Sequence, residues 1–377
     1  MKVGFHSPLP PAATGVADYA AALVRELRQH ARVECNTDEA CDIHLYHLGN
    51  NRLHETIHQR ALRQPGVVVL HDALLHHFFL GTLDESAYVE EFVFNYGEWY
   101  RGLAHDLWKG RSRSGIDAAY FDWPMIARVC RASLAVIVHN PGAGATVLRH
   151  APRAHVVEIP HLWSPSPRPD PTAVEALRTR LGVSGDELLA GVFGHLRETK
   201  RIGAVLRAYA RLRQGGERVR LLVAGDFVSP ELERHYAHEL ALPGIVRTGY
   251  LQEEQFWLHA AAVDLCLNLR YPSAGESSGI AIRLMGAGCA TLLTAGEETS
   301  RFPQGTFLPC DTGTCEEEEI LLYWMWACRD RASLRRMGAA ASEFIQSEHS
   351  AARAASLYAA TLRDALTQRR GIPPVRG

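Results

Sequence analysis

The chain has 377 residues, 47% apolar, 22% charged and 8% aromatic, a length and balance that predict two globular domains and exclude a fibre or a disordered chain. Forty basic residues against 42 acidic give a net charge of −2, which excludes the electrostatic footprint of a dedicated nucleic-acid binder. Eight scattered cysteines without a Cys-x-x-Cys pair read as reduced cytosolic thiols, and no run nears the roughly 20 apolar residues of a spanning helix.

The first strand is expected at residues 2–5, so no signal peptide is visible ahead of it. A loop then runs from Ser7 to Asp18, with Gly15 opening a helix over 17–30. A strand, a glycine turn and a helix N-terminus leave backbone N–H groups where an anion can sit, although an ordinary βα loop reads equally well. No G-x-G-x-x-G is present, so a plain dinucleotide site is not supported. Further strands are expected at 43–47, 67–71, 134–139 and 155–159, with a helix over 54–63. Their continuous Val/Ile/Leu character is that of parallel strands buried on both faces.

His54-Glu-Thr-Ile-His58 formally matches a zinc-protease pattern, but no third ligand can be picked out, and no metal is expected. The adjacent pair His76-His77 is also a poor metal pair. The strand at 67–71 ends in His71-Asp72, which sets an imidazole at the carboxyl edge of the sheet. Fourteen of the 19 histidines precede residue 165, making the first half the place to look for proton chemistry or sugar contacts. Asp18, Asp72 and His139 are the candidates there for the acceptor side. Between residues 98 and 113, aromatics mix with cations. That segment reads either as a helix packed by Trp99, Leu103 and Leu107, or as an acceptor or membrane-surface patch.

Five prolines between Pro160 and Pro171 mark a linker. The expected domains are therefore 1–165 and 166–349, with a helix over about 350–370 packing back on the first. After the linker the strand pattern restarts at 188–193, 220–224, 245–248, 265–269 and 291–294. Three cations (Arg197, Lys200, Arg201) follow the first of these, where open α/β sheets hold ligands. Gly275-Glu-Ser-Ser-Gly279 opens a helix whose first-turn amides suit a diphosphate, with Glu276 beside it for sugar hydroxyls; a simple N-cap is the alternative. Thr314 and Glu317 predict a capping box for the acidic run 316–319, and residues 367–377 are expected to fray.

Taken in order, these segments resemble a bacterial glycosyltransferase of family 4, nearly end to end. The resemblance rests on Phe5-His-Ser-Pro-Leu-Pro-Pro11 with Gly15-Val-Ala-Asp-Tyr19, on Leu48-Gly-Asn-Asn51, and on Pro65-Gly-Val-Val-Val-Leu-His-Asp72. It continues through Gly194-x5-Lys200-Arg201, Asn268-Leu-Arg-Tyr-Pro-Ser273 and Gly275-Glu-Ser-Ser-Gly279. It implies an α/β GT-B fold, two Rossmann-like doubly wound domains facing across a cleft. It also implies retaining transfer of a sugar from a nucleotide diphosphate sugar, a UDP- or GDP-sugar being expected, without metal or other cofactor. The acceptor would be a glycan, a lipid-linked or a small molecule, and the location cytoplasmic with room for peripheral contact at the inner membrane face.

By the same resemblance Lys200 neutralises the donor diphosphate, Gly15 faces the phosphates, Glu276 and His71 reach the donor sugar, and the amides of Ser278 and Gly279 face phosphate. Ser277, Ile280, Gly249 and Tyr250 complete the expected donor pocket, the last two near the base. Two departures stand out: Leu284 replaces the family's second glutamate, with Arg283 fitting a subgroup that carries an arginine instead. His195 replaces the usual arginine, so Arg197 or Arg201 is expected to supply the second cation. A nucleotide-sugar epimerase and a non-catalytic binding protein on a degenerate GT-B fold are the competing readings.

Overall fold

The computed structural model describes residues 1–12, 14–165 and 168–371. The chain forms two compact units: one of residues 1–162, 272–277 and, of the described chain, 349–371, the other of 163–271 and 278–348.

The first unit is built on six strands: β1 (Lys2–His6), β2 (Arg32–Cys35), β3 (Ile43–Leu48), β4 (Val67–Leu70), β5 (Ala135–Val138) and β6 (Val156–Glu158). They lie in the order β2-β1-β3-β4-β5-β6, all parallel. Alternate side chains point to opposite faces, and both faces are covered. Val3, Phe5, Ile43, Leu45, Val67 and Val69 pack with the helices Gly15–Leu27 and Ala351–Gly371, while Tyr46, Leu48, Val68, Leu70 and Val136 pack on the other side. Burying each such aliphatic side chain is worth about 1.5–3 kcal/mol, which makes the sheet the stable frame for the loops at its ends. Tyr358 on the last helix meets Tyr19 on the first, hydroxyl to hydroxyl at 2.9 Å.

The second unit repeats the plan with β7 (Leu188–Phe193), β8 (Val219–Ala224), β9 (Ile245–Arg247), β10 (Leu265–Asn268), β11 (Ala290–Thr294) and β12 (Leu308–Cys310). Their order is β12-β11-β10-β7-β8-β9, again all parallel. Counted from the first strand of the unit this is the 3-2-1-4-5-6 order of a dinucleotide-type fold, whose direction of winding reverses between β7 and β10.

Several details depart from the sequence reading. Strands β2 and β12 were not expected. The acidic run does not open with a capping box, because the helix Glu316–Arg329 starts after Cys315 with no side-chain cap. Its glutamates instead reach the neighbouring helix Ile202–Gln214: Glu316 pairs with Arg201 just before it, Glu317 with Arg207 and Glu318 with Arg211. Trp99 is 93% exposed rather than packed. Gly97, at φ +94°, ends the preceding helix, and a short 3-10 turn at Glu98–Tyr100 carries Trp99 out of phase with the helix Arg101–Lys109 that follows. Pro171 lies not in the linker but in the first turn of the helix Pro171–Arg180, behind the N-cap Asp170. The C-terminal helix continues to Gly371 instead of fraying from 367; the rest of that expectation, 372–377, lies outside the described residues.

Candidate functional site

In the second unit, the carboxyl ends of β7 and β10 are neighbours at the point where the winding reverses, the position at which open α/β sheets bind ligands. The loop after β7 begins with Gly194 at φ +87° and is backed by Gly225 at φ +142°. A Cβ on Gly225 would lie 2.1 Å from the Gly194 carbonyl oxygen, so the two backbones can approach only because that position is glycine. Lys200 closes the loop. It is 7% exposed, and its ammonium donates to the Phe193 carbonyl at 2.6 Å, at the tip of β7. A point beside Gly194 is 3.4 Å from the Lys200 nitrogen and 3.5 Å from Ile280, which brings the lysine next to the helix Gly279–Gly286.

That helix is capped by Ser278, whose Oγ accepts from the Ala281 N–H. Asn268, the last residue of β10, donates to the same Oγ at 3.0 Å and fixes it. The β10 loop is tied back to the β7 loop by the Tyr271 N–H donating to the Thr199 carbonyl at 2.8 Å. A buried ammonium, a capped helix start and a glycine-lined backbone therefore meet at one sheet edge. This arrangement can hold an anion with two or more phosphate oxygens.

Around this centre the expected residues differ in their situations. His195 and Arg197 are exposed on the β7 loop. Arg201 adopts a left-handed backbone (φ +57°), and its Nε and Nη2 are taken by buried Glu316, which raises the guanidinium's affinity for its proton further. Only its Nη1 is left without a partner among the described residues. Arg283 turns away to Glu253 and lies over the rings of Phe256 and Trp257, at 4.1 and 4.6 Å. Gly249, at φ +67° after β9, has its α-carbon beside Asp226, and the neighbouring Tyr250 is 62% exposed. Leu284 is fully buried in an apolar cluster with Leu189, Phe193 and Cys266.

The remaining candidates belong to the first unit. The segment 272–277 carries Glu276, whose carboxylate folds back to accept from the Ala274 N–H at 2.8 Å and from the Ser273 hydroxyl. Asn140 anchors the segment: its Nδ2 donates to the Gly275 carbonyl (3.0 Å) and to Ser277 Oγ (3.1 Å), while its Oδ1 caps the helix Pro141–His150. Ser277 in turn donates to the His139 carbonyl. Gly15 opens its helix behind the N-cap Thr14, with nothing within 4 Å of where a Cβ would stand, and Asp18 is exposed in the same first turn.

His71, at the end of β4, shares a 2.9 Å hydrogen bond with His47 and meets the edge of Tyr19. Burial holds both imidazoles well below the ordinary histidine range, so His71 is neutral near pH 7 and can exchange hydrogen bonds with hydroxyls. His139, its ring 5.1 Å from that of His71, donates Nδ1–H to the Ile159 carbonyl, and burial lowers it to about 4. Asp72 accepts from the Asn50 N–H at 2.8 Å. His54 and His58 are buried, His54 donating to the His47 carbonyl, and no group of three or more metal-ligating side chains among the described residues could hold a metal ion.

Sequence reasoning gave no site role to Asn140 or His47, nor to Asn50 and Asn268, which stand in the motifs that carry the resemblance; all four hold the expected residues in place. Asn140 carried one visible signal, an N-cap residue followed by proline.

Neither a protein-family model nor a curated protein sequence matches the chain. Solved structures do. Sucrose-phosphate synthase of Thermosynechococcus elongatus is 14% identical with a TM-score of 0.70, covering 98% of this chain and 100% of that one. HepE of Anabaena, in complex with UDP, is 14% identical at a TM-score of 0.63, covering 97% and 100%. WaaG, a glycosyltransferase involved in lipopolysaccharide biosynthesis, is 14% identical at 0.59, covering 96% and 98%. The likeness extends over both sheets, and the fold is GT-B. No helix among the described residues is long and apolar enough to cross a membrane.

Proposed function

We propose that this chain is a glycosyltransferase that moves a sugar from a nucleoside diphosphate sugar to an acceptor. The observation that carries the reading is Lys200, an ammonium held at the tip of β7 beside the capped helix Gly279–Gly286, in a fold shared with a protein solved in complex with UDP. In this reading the donor diphosphate lies against Lys200 and the first amides of that helix. Arg197 and the Nη1 of Arg201 supply further positive charge. Glu276 and His71 bind hydroxyls of the donor sugar, Gly15 faces the phosphates, and the base lies toward Gly249 and Tyr250. The donor is a UDP- or GDP-sugar.

Breaking the anomeric C–O bond leaves an oxocarbenium-like centre and a diphosphate with growing negative charge. Lys200 and the helix start stabilise that charge where it develops, so no protein nucleophile is required. Neutral His71 suits the contact with sugar hydroxyls, since it adds no cation beside the oxocarbenium centre. The reaction retains anomeric configuration by front-face transfer, a donor phosphate oxygen taking the acceptor's proton. Retention, independence of metal and membership of family 4 rest on the motif resemblance.

The test is a thermal-shift panel of UDP, GDP, ADP and TDP. A nucleotide at about 100 times its dissociation constant adds about 2.7 kcal/mol of stability. One responding base, with free nucleotide released on addition of acceptor, is the expected result. A flat response to all four would sink the reading.

A further inference from the structure

Resting on the transferase reading, and naming the chemistry of its second substrate, we infer that the acceptor carries a phosphate group, held in a cavity of the first unit lined by His77, Lys109, Arg111, Ser112 and Ser114. The cavity measures about 490 Å³, opens widely to solvent, and is completed by Leu80 and Gly81, with no carboxylate in its lining. Two cations and two hydroxyls line it, a donor set for phosphate oxygens. The cations are not spent on neighbours. Arg101, on the same helix as Lys109, closes on Glu90 and Glu98, whereas neither Lys109 nor Arg111 meets a carboxylate among the described residues.

Arg111 is also held ready. One nitrogen donates to the Trp108 carbonyl at 2.8 Å and the guanidinium lies 4.3 Å from the centre of the Trp108 ring, so its direction is set before any ligand arrives. His77 forms part of the wall, and its tautomer follows from its partners. Nε2 faces the Ser114 carbonyl, which only accepts, so Nε2 carries the proton and Nδ1 accepts from the Asn50 amide.

The same asparagine ties the cavity to the sheet edge. Its Oδ1 accepts from the Phe78 N–H, and its own N–H donates to Asp72, the residue after His71. One hydrogen-bonded frame therefore runs from the cavity wall to the end of β4. A molecule anchored through its phosphate at Lys109 and Arg111 presents its remaining hydroxyls along that frame, toward the histidine assigned to the donor sugar. Both cations are exposed, so the anchor orients and selects more than it tightens.

The test uses the full chain and calorimetric titration with glycerol 3-phosphate. Inorganic phosphate serves as the minimal probe and glycerol as the uncharged control. Both phosphates should bind and glycerol should not. Lys109→Ala with Arg111→Ala should weaken both phosphates at least tenfold while leaving UDP binding unchanged, since neither residue is among those assigned to UDP. Because the two side chains are exposed, the double variant is expected to melt with the wild type. Equal binding by variant and wild type, equal binding of glycerol, or no binding of either phosphate would each overturn the inference. A wild type that binds the phosphates but not UDP would remove the transferase reading and leave the cavity assigned to phosphate. Sedimentation with phosphatidylglycerol vesicles separates the sources. Capture of the wild type but not the double variant assigns the phosphate to a lipid headgroup, and ester binding without capture assigns it to a soluble acceptor.

Discussion

Replacing Lys200 by methionine separates what the ammonium does for the fold from what it does for the reaction. In the folded chain the lysine is 7% exposed and makes a 2.6 Å bond to the Phe193 carbonyl. A hydrogen bond to a charged group contributes about 1.5–3 kcal/mol, and the substitution removes it. It also removes the desolvation of an ammonium, a penalty of several kcal/mol. Methionine has nearly the same length and fills the same volume, so the two effects offset and stability should change by no more than about 1–2 kcal/mol. The transition state has no such compensation. Loss of one preorganised charge beside a leaving diphosphate lowers turnover by about 10²–10³, or roughly 3–4 kcal/mol. The assay pairs urea unfolding with initial rates of nucleotide release from a sugar donor of the base that responds in the thermal panel. Turnover within threefold of wild type in a folded Lys200→Met protein would refute the phosphate role. A loss of more than 4 kcal/mol of stability would instead make the lysine a structural residue.

Two further outcomes follow from the first unit. His54 and His139 each donate Nδ1–H to a backbone carbonyl and bury Nε2 without a partner among the described residues, and burial lowers each to about 4. The unfolded chain takes up protons near the ordinary value of about 6.5, so their contribution is complete above that pH and is lost as pH falls toward 4. The urea midpoint should therefore drop between pH 7 and pH 5 by an amount equivalent to about 2–4 kcal/mol, and an unchanged midpoint would contradict the burial argument. Asn140→Ala removes a helix cap worth about 1 kcal/mol and two donations, to Gly275 and Ser277, of about 1 kcal/mol each. Chemical denaturation should show a loss of about 2–4 kcal/mol, and a change below about 0.5 kcal/mol would mean that the 272–277 segment does not depend on it.

The buried strands were legible because both of their faces are covered. Val67-Val-Val-Leu70 and Leu188-Leu-Ala-Gly-Val-Phe193 carry no polar residue to blur them, and both form strands. The two strands missed are sheet edges, where that pressure is absent: β2 begins with exposed Arg32, and β12 carries Pro309, a residue that only an edge tolerates. At the candidate site, residue types at strand ends were readable, since Lys200, Glu276 and His71 each follow an apolar run. Their partners were not. Asn140 and Ser277 are 137 positions apart, and Arg201 and Glu316 are 115 apart, so neither pairing leaves a local pattern. Trp99 failed for a different reason. Helical spacing was present, but one glycine ahead of it reset the phase.

The C-terminal helix has a consequence for how the protein is made. Ala355, Tyr358, Ala359 and Leu362 are fully buried against the sheet of the first unit, yet 186 residues (163–348) are synthesised between that unit's Leu162 and its His349. At about 5–20 residues per second the ribosome needs roughly 10–40 s to cover that distance. For that interval the nascent first sheet exposes Val3, Phe5, Ile43 and Val69 to solvent without their final cover. Chaperone demand during translation should therefore be concentrated on this face, and a circular permutant that begins with residues 349–371 would shorten the exposure.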